Sequence, residues 1–320
     1  MLVTAPPPAT RGNAAPQPAS LNAVSETDPA ESVLPGRAAA ESKSADTKAA
    51  VFEFWQTSDA YRDFGPEKLA ESPHRRRLKE LLASCRTVLD LACGDGNNLP
   101  HLPAGTDYIG VDCSPVGLRR LMGRDDHPAL SKRSVVADVE RLPFAEGSVD
   151  AVLSTFAFEH FLSVPRILAE CDRVLRPGGR LVLIGPDFSF PNSFGPPQRE
   201  TLLNQREPLL CYAAARLGRR VKDRLLGRYG FEYITPQPLS DATYVPDADM
   251  THLTDHGEIA RYMHPMGYRL VAREAGVAPQ GVKRWTSALG LWGHHGDALL
   301  CLSKTAARTS VPRVREQTIA

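Results

Sequence analysis

Long apolar runs and clustered metal-ligating residues are both missing from this chain of 320 residues. No apolar run approaches the roughly 20 residues that a membrane-spanning helix needs. The six cysteines are scattered without a CxxC pair, and no group of histidines and cysteines has zinc-ligand spacing. We therefore expect reduced thiols, no metal site, no stable membrane insertion and a cytoplasmic location.

An excess of charge of either sign is also missing, since 38 lysines and arginines balance 37 aspartates and glutamates. Such a chain has no overall field that would attract nucleic acid. We expect no nucleic-acid partner. The sequence gives no indication of an oligomeric state.

Aromatic residues are missing from residues 1–47, which are rich in Ala, Pro and Ser. A segment of this composition buries too little apolar surface to offset the entropy of ordering, so we interpret it as a disordered tail. The pattern changes at residue 48, where Phe52, Phe54 and Trp55 introduce an aromatic segment. Core packing is one interpretation of this segment, and the family resemblance described below implies another, closure over a ligand.

Short apolar runs alternate with helical patterns from residue 87 onward, which predicts a parallel sheet covered by helices on both faces. We assign this domain to residues 48–305. The alternation of strands and helices is interrupted at residues 189–250, which are a candidate lid. Residues 306–320 are predicted to be a flexible tail. The predicted strands contain TVLDLA, YIGVD, SVVAD, VDAVLST, RLVLIG, GYRLVARE and DALLCLSK.

The segment VLDLACGDGNNL, from Val88 to Leu99, places two glycines directly after the first predicted strand. Gly94 and Gly96 match the first half of a dinucleotide-binding fingerprint, but Asn98 and Leu99 do not continue it. Small residues here allow a ligand to approach the backbone, and the missing third glycine favours a ligand without a pyrophosphate.

An acidic residue closes each of the first three predicted strands: Asp90, Asp112 and Asp138. Parallel strands present their carboxyl ends on one edge of a sheet, so the three carboxylates converge on one crevice. There Asp112 is suited to accept hydrogen bonds from a ribose diol. Asp138 is suited to accept one from an exocyclic amino group.

These motifs, with LRPGGRLVLIGPD downstream, resemble the class I S-adenosylmethionine-dependent methyltransferases in their broad small-molecule branch. The resemblance covers roughly residues 86 to 187. It implies a Rossmann-like, seven-stranded, mostly parallel sheet with helices on both faces and a lid insertion after the fifth strand. It also implies S-adenosylmethionine as cofactor and one-step methyl transfer to an O, N or C atom of a small molecule.

The resemblance implies a set of cofactor-binding residues at the carboxyl edge of the sheet. Ala92 stands where the family usually has glycine, a departure of one methyl group. We expect the unliganded Asp112 carboxylate to be solvated, with little effect on stability. The implied cofactor-binding set is Asp90, Ala92, Gly94, Gly96, Asp112, Cys113, Asp138, Val139 and Thr155.

Three residues are candidates for the substrate side of the site. His160 is a candidate catalytic base for a hydroxyl acceptor, and Phe158 and His252 are candidate substrate contacts. His252 and His256 have the i,i+4 spacing of a metal pair. Because we expect the helix to begin only at Thr254, which leaves His252 in the preceding loop, we predict no metal there.

The basic stretch from Arg216 to Arg228 predicts a lid helix whose charged face is solvated. Alternatively, it holds an anionic or lipid-linked substrate. Two other functions stay open for the chain as a whole: a catalytically silent methyltransferase-like binding module, and a nicotinamide-dependent oxidoreductase that shares the fold.

Overall fold

The computed structural model describes residues 48–57, 72–125, 131–189, 209–234, 250–274, 297–305 and 314–319. All of them belong to one compact unit, Lys43–Ala320. Within these ranges, no helix is both long enough and apolar enough to cross a membrane.

A seven-stranded sheet forms the centre of the unit. Its strands are β1 (Thr87–Leu91), β2 (Asp107–Asp112), β3 (Ser131–Val136), β4 (Val149–Thr155), β5 (Leu175–Pro186), β8 (Tyr268–Glu274) and β9 (Asp297–Lys304). The order across the sheet is β3-β2-β1-β4-β5-β9-β8. β1 to β5 are parallel, and β9 is antiparallel to both β5 and β8. The predicted sheet of seven mostly parallel strands is confirmed.

Apolar side chains cover both faces of this sheet and form two cores. In β1, Val88 belongs to one core and Leu89 to the other, as the alternation of side chains along a strand requires. Strands buried on both sides have nearly continuous apolar sequences, which is why these segments could be predicted.

Helices connect only some of the strands. Residues 48–57 form α1, and a 3₁₀ helix (Pro73–Arg77) leads into the short α2 (Leu78–Leu81). α3 (Pro115–Met122) follows β2, and α4 (Val164–Val174) precedes β5. Between β1 and β2 the described chain forms turns and one 3₁₀ helix (Leu99–His101), where we expected a helix like the others.

The chain after β5, which includes the predicted insertion 189–250, contributes further elements. They are α5 (Leu209–Leu225), β6 (Tyr229–Ile234) and β7 (His252–Leu253). β6 pairs with β7 and also with β10 (Val314–Ile319), so a three-stranded sheet has the order β10-β6-β7. β10 falls within the predicted tail 306–320, and its β-branched Val314, Thr318 and Ile319 suit a strand.

The helix after β7 begins two residues later than the start at Thr254 that we expected. Asp255 is the N-cap of α6 (His256–Met263), and its side chain accepts a hydrogen bond from the Glu258 amide at 3.0 Å. Gly267 adopts a left-handed φ of 90° and ends this helical region.

The basic face of α5 is only partly solvated, where we expected it to be solvated throughout. Arg216 is completely buried, and its guanidinium pairs with Glu232 on β6. Leu217, Val221 and Leu225 are exposed instead. The sequence pattern was correct about an amphipathic helix, but it did not show that part of the basic face is buried while the apolar stripe is exposed.

Candidate functional site

The loop after β1 requires unusual backbone conformations. Gly94 and Gly96 have φ values of 55° and 83°, and Ala92 has a φ of 51° despite its side chain. A Cβ atom on Gly96 would lie 2.4 Å from the Leu121 Cδ1 atom. The glycines therefore allow both the left-handed turn and the close packing of α3 against the loop.

Asp112 anchors this loop from the neighbouring strand. Its carboxylate accepts hydrogen bonds from the backbone amides of Gly94 and Ser114, both at 2.8 Å. The side chain is buried, so the expectation of a solvated carboxylate was wrong. A buried acceptor that satisfies two backbone amides contributes to stability as well as to any ligand site.

Asp90 is buried completely at the carboxyl end of β1. One oxygen, Oδ2, accepts hydrogen bonds from Asn98 at 2.9 Å and from the Tyr108 hydroxyl at 2.7 Å. The other oxygen, Oδ1, is buried and has no hydrogen-bond partner among the described residues. Burial raises the Asp90 pKa to about 6, against the opposing effect of the two hydrogen bonds. An oxygen in this state suits a cationic ligand group.

Asn98 links Asp90 to the end of β4. Its amide exchanges hydrogen bonds with the Thr155 hydroxyl at 2.9 and 3.1 Å. Three predicted cofactor elements, namely the glycine loop, Asp90 and Thr155, are thus joined in one network. Asn98 was missed because we judged it only as a failed fingerprint position.

Asp138 lies just beyond β3, and α1 reaches it. The Lys48 ammonium lies 2.6 Å from the Asp138 carboxylate and 2.7 Å from that of Glu140. Val139 is half-buried and packs against the apolar core. The aromatic N-terminal segment therefore contacts the acid predicted to bind adenine.

Cys113 separates Asp112 from Ser114, the N-cap of α3. Burial raises the pKa of its thiol to about 12, and the nearby Asp112 charge adds to this shift. The thiol is therefore neutral at physiological pH, and Cys113 offers the site a small, uncharged contact.

Arg75 is a second residue that the sequence did not single out. It is buried, and its guanidinium lies 5.2 Å from the centre of the Phe156 ring, just after β4. Burial lowers the Arg75 pKa, while Asp90, Asp95 and Asp297 favour the charged form. Arg76, its neighbour in HRRR, is exposed, and the sequence alone does not distinguish the two.

The substrate-side candidates lie around the 3₁₀ helix Phe158–His160. His160 Nε2 is 3.8 Å from a Glu159 carboxylate oxygen, and its side chain is 20% exposed. His252 is buried, with its ring 5.9 Å from that of Phe158 and 6.0 Å from that of Tyr233. Burial and the nearby His160 lower the His252 pKa to about 3. His252 is therefore neutral at physiological pH.

His252 and His256 do not share a helix, since one is on β7 and the other begins α6. No group of three or more potential ligands is arranged for a metal ion within the part of the chain that the structure describes. Two further aromatic residues of the N-terminal segment, Tyr61 and Phe64, lie outside the described residues. The same holds for the histidine pair His294 and His295, for which a solvated turn was the interpretation.

The family described as "Methyltransferase domain" matches residues 89–183, the segment from β1 to β5. Over these residues the chain resembles a methyltransferase domain. It is 36% identical over 115 residues to a demethylmenaquinone methyltransferase of Thermus thermophilus, covering 34% of this chain and 52% of that one. It is 33% identical over 119 residues to a phthiotriol/phenolphthiotriol dimycocerosates methyltransferase of Mycobacterium leprae, covering 36% and 43%. The chain thus spans about half the length of these relatives.

Among solved structures, this chain is similar in fold to an S-adenosylmethionine-dependent methyltransferase from Mesorhizobium loti. That match has a TM-score of 0.44 and 16% identity, and it covers 75% of this chain and all (100%) of that chain.

The resemblance to methyltransferases implies S-adenosylmethionine as the methyl donor. The buried Asp90 Oδ1 and the tight loop through Gly94 and Gly96 fit a ligand with a cationic amino group lying against the backbone.

Proposed function

We propose that this protein transfers a methyl group from S-adenosylmethionine to a small-molecule acceptor. The observation that carries the proposal is the buried Asp90 carboxylate, whose Oδ1 has no hydrogen-bond partner in the described structure. It stands at the carboxyl end of a central parallel strand, where open α/β sheets bind their ligands.

The charged groups around Asp90 match the two ends of an amino acid. The methionine part of the donor carries an ammonium and a carboxylate. The Asp90 oxygen would hold the ammonium, and the buried guanidinium of Arg75 would hold the carboxylate. Such contacts are charge-assisted and are stronger than neutral hydrogen bonds.

The other end of the donor is a nucleoside. Asp112, backed by the Gly94 and Ser114 amides, would hold the ribose hydroxyls, and Asp138 with Val139 would contact the adenine. Since Lys48 already pairs with Asp138, α1 would form one wall of the adenine pocket. The smaller Ala92, Cys113 and Thr155 would line the floor.

When bound, the donor would supply a sulfonium methyl group whose carbon the acceptor attacks in one step, so that the S–CH3 bond breaks and S-adenosylhomocysteine leaves as a neutral thioether. The residues of the chain then mainly position the acceptor in line, and orientation of this kind contributes on the order of 7 to 11 kcal/mol in well-aligned reactions. His160, which is partly exposed and adjacent to Glu159, would accept a proton from a hydroxyl acceptor. Phe158 and the neutral His252 would form an apolar wall beside it.

Two measurements test the proposal. Isothermal titration should show one site per chain for S-adenosylhomocysteine, the demethylated product of the donor. A well-folded sample that binds NADH instead would contradict the proposal and favour the oxidoreductase alternative.

The second measurement uses isotope-labelled methyl donor and a panel of acceptors. The relatives are named for demethylmenaquinone and for phthiotriol or phenolphthiotriol dimycocerosates, so these compounds belong in the panel. Product mass and fragmentation identify whether O, N or C is methylated. Binding of the donor without transfer to any member of the panel or of a cell extract would favour the silent binding module.

A further inference from the structure

The outward face of α5 has an unusual composition. Leu217, Val221 and Leu225 recur every four residues, so they form one stripe along the helix, and they are 51%, 48% and 81% exposed. Leu226 adds another apolar side chain that is 51% exposed. Exposed leucines at single positions are ordinary, but a continuous stripe marks a surface that contacts something apolar.

The inward face of α5 shows that this orientation is fixed by strong contacts. Arg216 is completely buried against Glu232 and donates to the Phe188 carbonyl at 2.8 Å. Arg220 pairs with Asp255 at 3.0 Å. The helix cannot turn its leucines inward without exposing or breaking these pairs, so the apolar stripe faces outward in the folded protein.

Cations border the stripe. Because successive helical residues turn by about 100°, Arg224 lies on one side of the stripe and Lys222 on the other, and the exposed Arg228 follows the helix. Asp223 is the only acidic residue in 209–228, and it is buried. The exposed side chains of this segment are therefore apolar or cationic.

We propose that the outward face of α5 binds the surface of an anionic lipid bilayer. The leucines and Val221 would enter the boundary between headgroups and acyl chains, and the long stems of Lys222 and Arg224 would extend to the anionic headgroups. The helix would lie in the plane of the membrane. This inference does not depend on the methyl-transfer proposal.

A second copy of the chain is a poorer occupant. A two-fold contact places the same patch of both copies face to face. Lys222, Arg224 and Arg228 of one copy would then meet the same cations of the other, with no exposed acidic residue on α5 to balance them. An anionic membrane supplies the missing charge.

Vesicle sedimentation with the full chain tests the proposal. The protein should bind vesicles that contain phosphatidylglycerol and should bind pure phosphatidylcholine vesicles at least about tenfold more weakly, because each cation near an anionic surface contributes about 1 kcal/mol. Binding should weaken at about 1 M salt, where the Debye length falls to about 3 Å. Equal binding to both vesicle types, or binding to neither, overturns the proposal.

Two variants separate the apolar and cationic contributions. Leu225→Glu and a Lys222→Glu, Arg224→Glu double variant should each bind phosphatidylglycerol vesicles at least about tenfold more weakly. The matched control is Leu270→Glu on β8, whose side chain is 58% exposed and which should bind like the wild type. Unchanged binding by Leu225→Glu overturns the proposal.

Thermal melting and light scattering complete the test. All of these side chains are exposed, so melting temperatures should stay close to that of the wild type. A large fall for Leu225→Glu would mean that another part of the chain covers the stripe. A wild-type dimer that Leu225→Glu converts to a monomer would mean that a second copy does so. Either result overturns the proposal.

Discussion

Asp90 and Arg216 are both completely buried charged residues, yet their surroundings differ. Arg216, on α5, is matched by Glu232 and by the Phe188 carbonyl. Asp90, at the edge of the central sheet, keeps one oxygen without a hydrogen-bond partner in the described structure, and its pKa is raised. A buried ion that is satisfied within the fold stabilises it, whereas one that is left partly unsatisfied indicates a place for a ligand.

The strongest way to test this contrast is to remove Arg216. Arg216→Met removes the buried partner of Glu232 and leaves it only Arg219 and Arg220, at 3.9 and 3.8 Å. Breaking a buried ion pair costs about 3 to 5 kcal/mol of unfolding free energy. Arg224→Met, on the exposed face of the same helix, should change it by at most about 0.5 kcal/mol. Urea denaturation measures both. Similar effects of the two variants would contradict the contrast.

Asp90 should make the unfolding free energy depend on pH. Its pKa rises from 3.8 in the unfolded chain to about 6 in the folded protein, so the folded state holds the proton more tightly. Its contribution favours folding below about pH 4 and declines as the pH rises through 6, by on the order of 3 kcal/mol. Asp90→Asn should remove this decline in denaturation curves recorded across that range.

His252 makes the unfolding free energy depend on pH in the opposite direction, so its effect must be separated from that of Asp90. Its pKa falls from 6.5 to about 3 on folding. Its contribution is therefore complete above pH 6.5 and is lost as the pH falls toward 3. The comparison of Asp90→Asn with wild type at each pH isolates the Asp90 effect. A difference in unfolding free energy between Asp90→Asn and wild type that does not vary with pH would contradict the predicted effect of Asp90.

Asp112 is a buried ion that is satisfied within the fold, by the Gly94 and Ser114 amides, and it also belongs to the proposed ligand site. Asp112→Ala should weaken binding of S-adenosylhomocysteine about tenfold or more, and it should also lower the unfolding free energy by about 1 to 3 kcal/mol, because two buried amides lose their acceptor. Asp107→Ala on the same strand, where the carboxylate is partly exposed and pairs with Arg86, is the control. Calorimetry and denaturation together check the result. Full stability with weak binding would mean that the two amides are satisfied without Asp112.

Substitution of Arg75 should affect ligand binding and leave stability nearly unchanged, unlike substitution of Arg216, Asp90 or Asp112. Arg75→Met should weaken S-adenosylhomocysteine binding about tenfold, or about 1.4 kcal/mol, but should leave 5′-methylthioadenosine binding unchanged, because that compound lacks the amino-acid end. Arg75→Lys should recover part of the loss, and the exposed Arg76→Met should have no effect.

Equal losses for the two ligands would show that Arg75 only supports the fold. Should the wild type bind neither compound, the methyl-transfer proposal itself would fail.

The central sheet could be predicted because the information is local. Each strand is a short apolar run, and Asp90, Asp112 and Asp138 end successive strands, so topology brings them together. Arg75 could not be predicted, because nothing within HRRR tells which guanidinium is buried. The orientation of α5 was also beyond the sequence, since it depends on Glu232 and Asp255, which lie on other elements.

Ala92 offers a last consequence for the loop. Its φ of 51° is a left-handed conformation that costs a residue with a Cβ roughly 1 to 2 kcal/mol. Replacement by glycine would relieve that strain but would free the unfolded chain, which costs roughly 0.5 to 1 kcal/mol. The balance favours glycine by roughly 0 to 1.5 kcal/mol. The alanine methyl group therefore adds nothing to folding stability, and what it changes is the shape of the pocket floor.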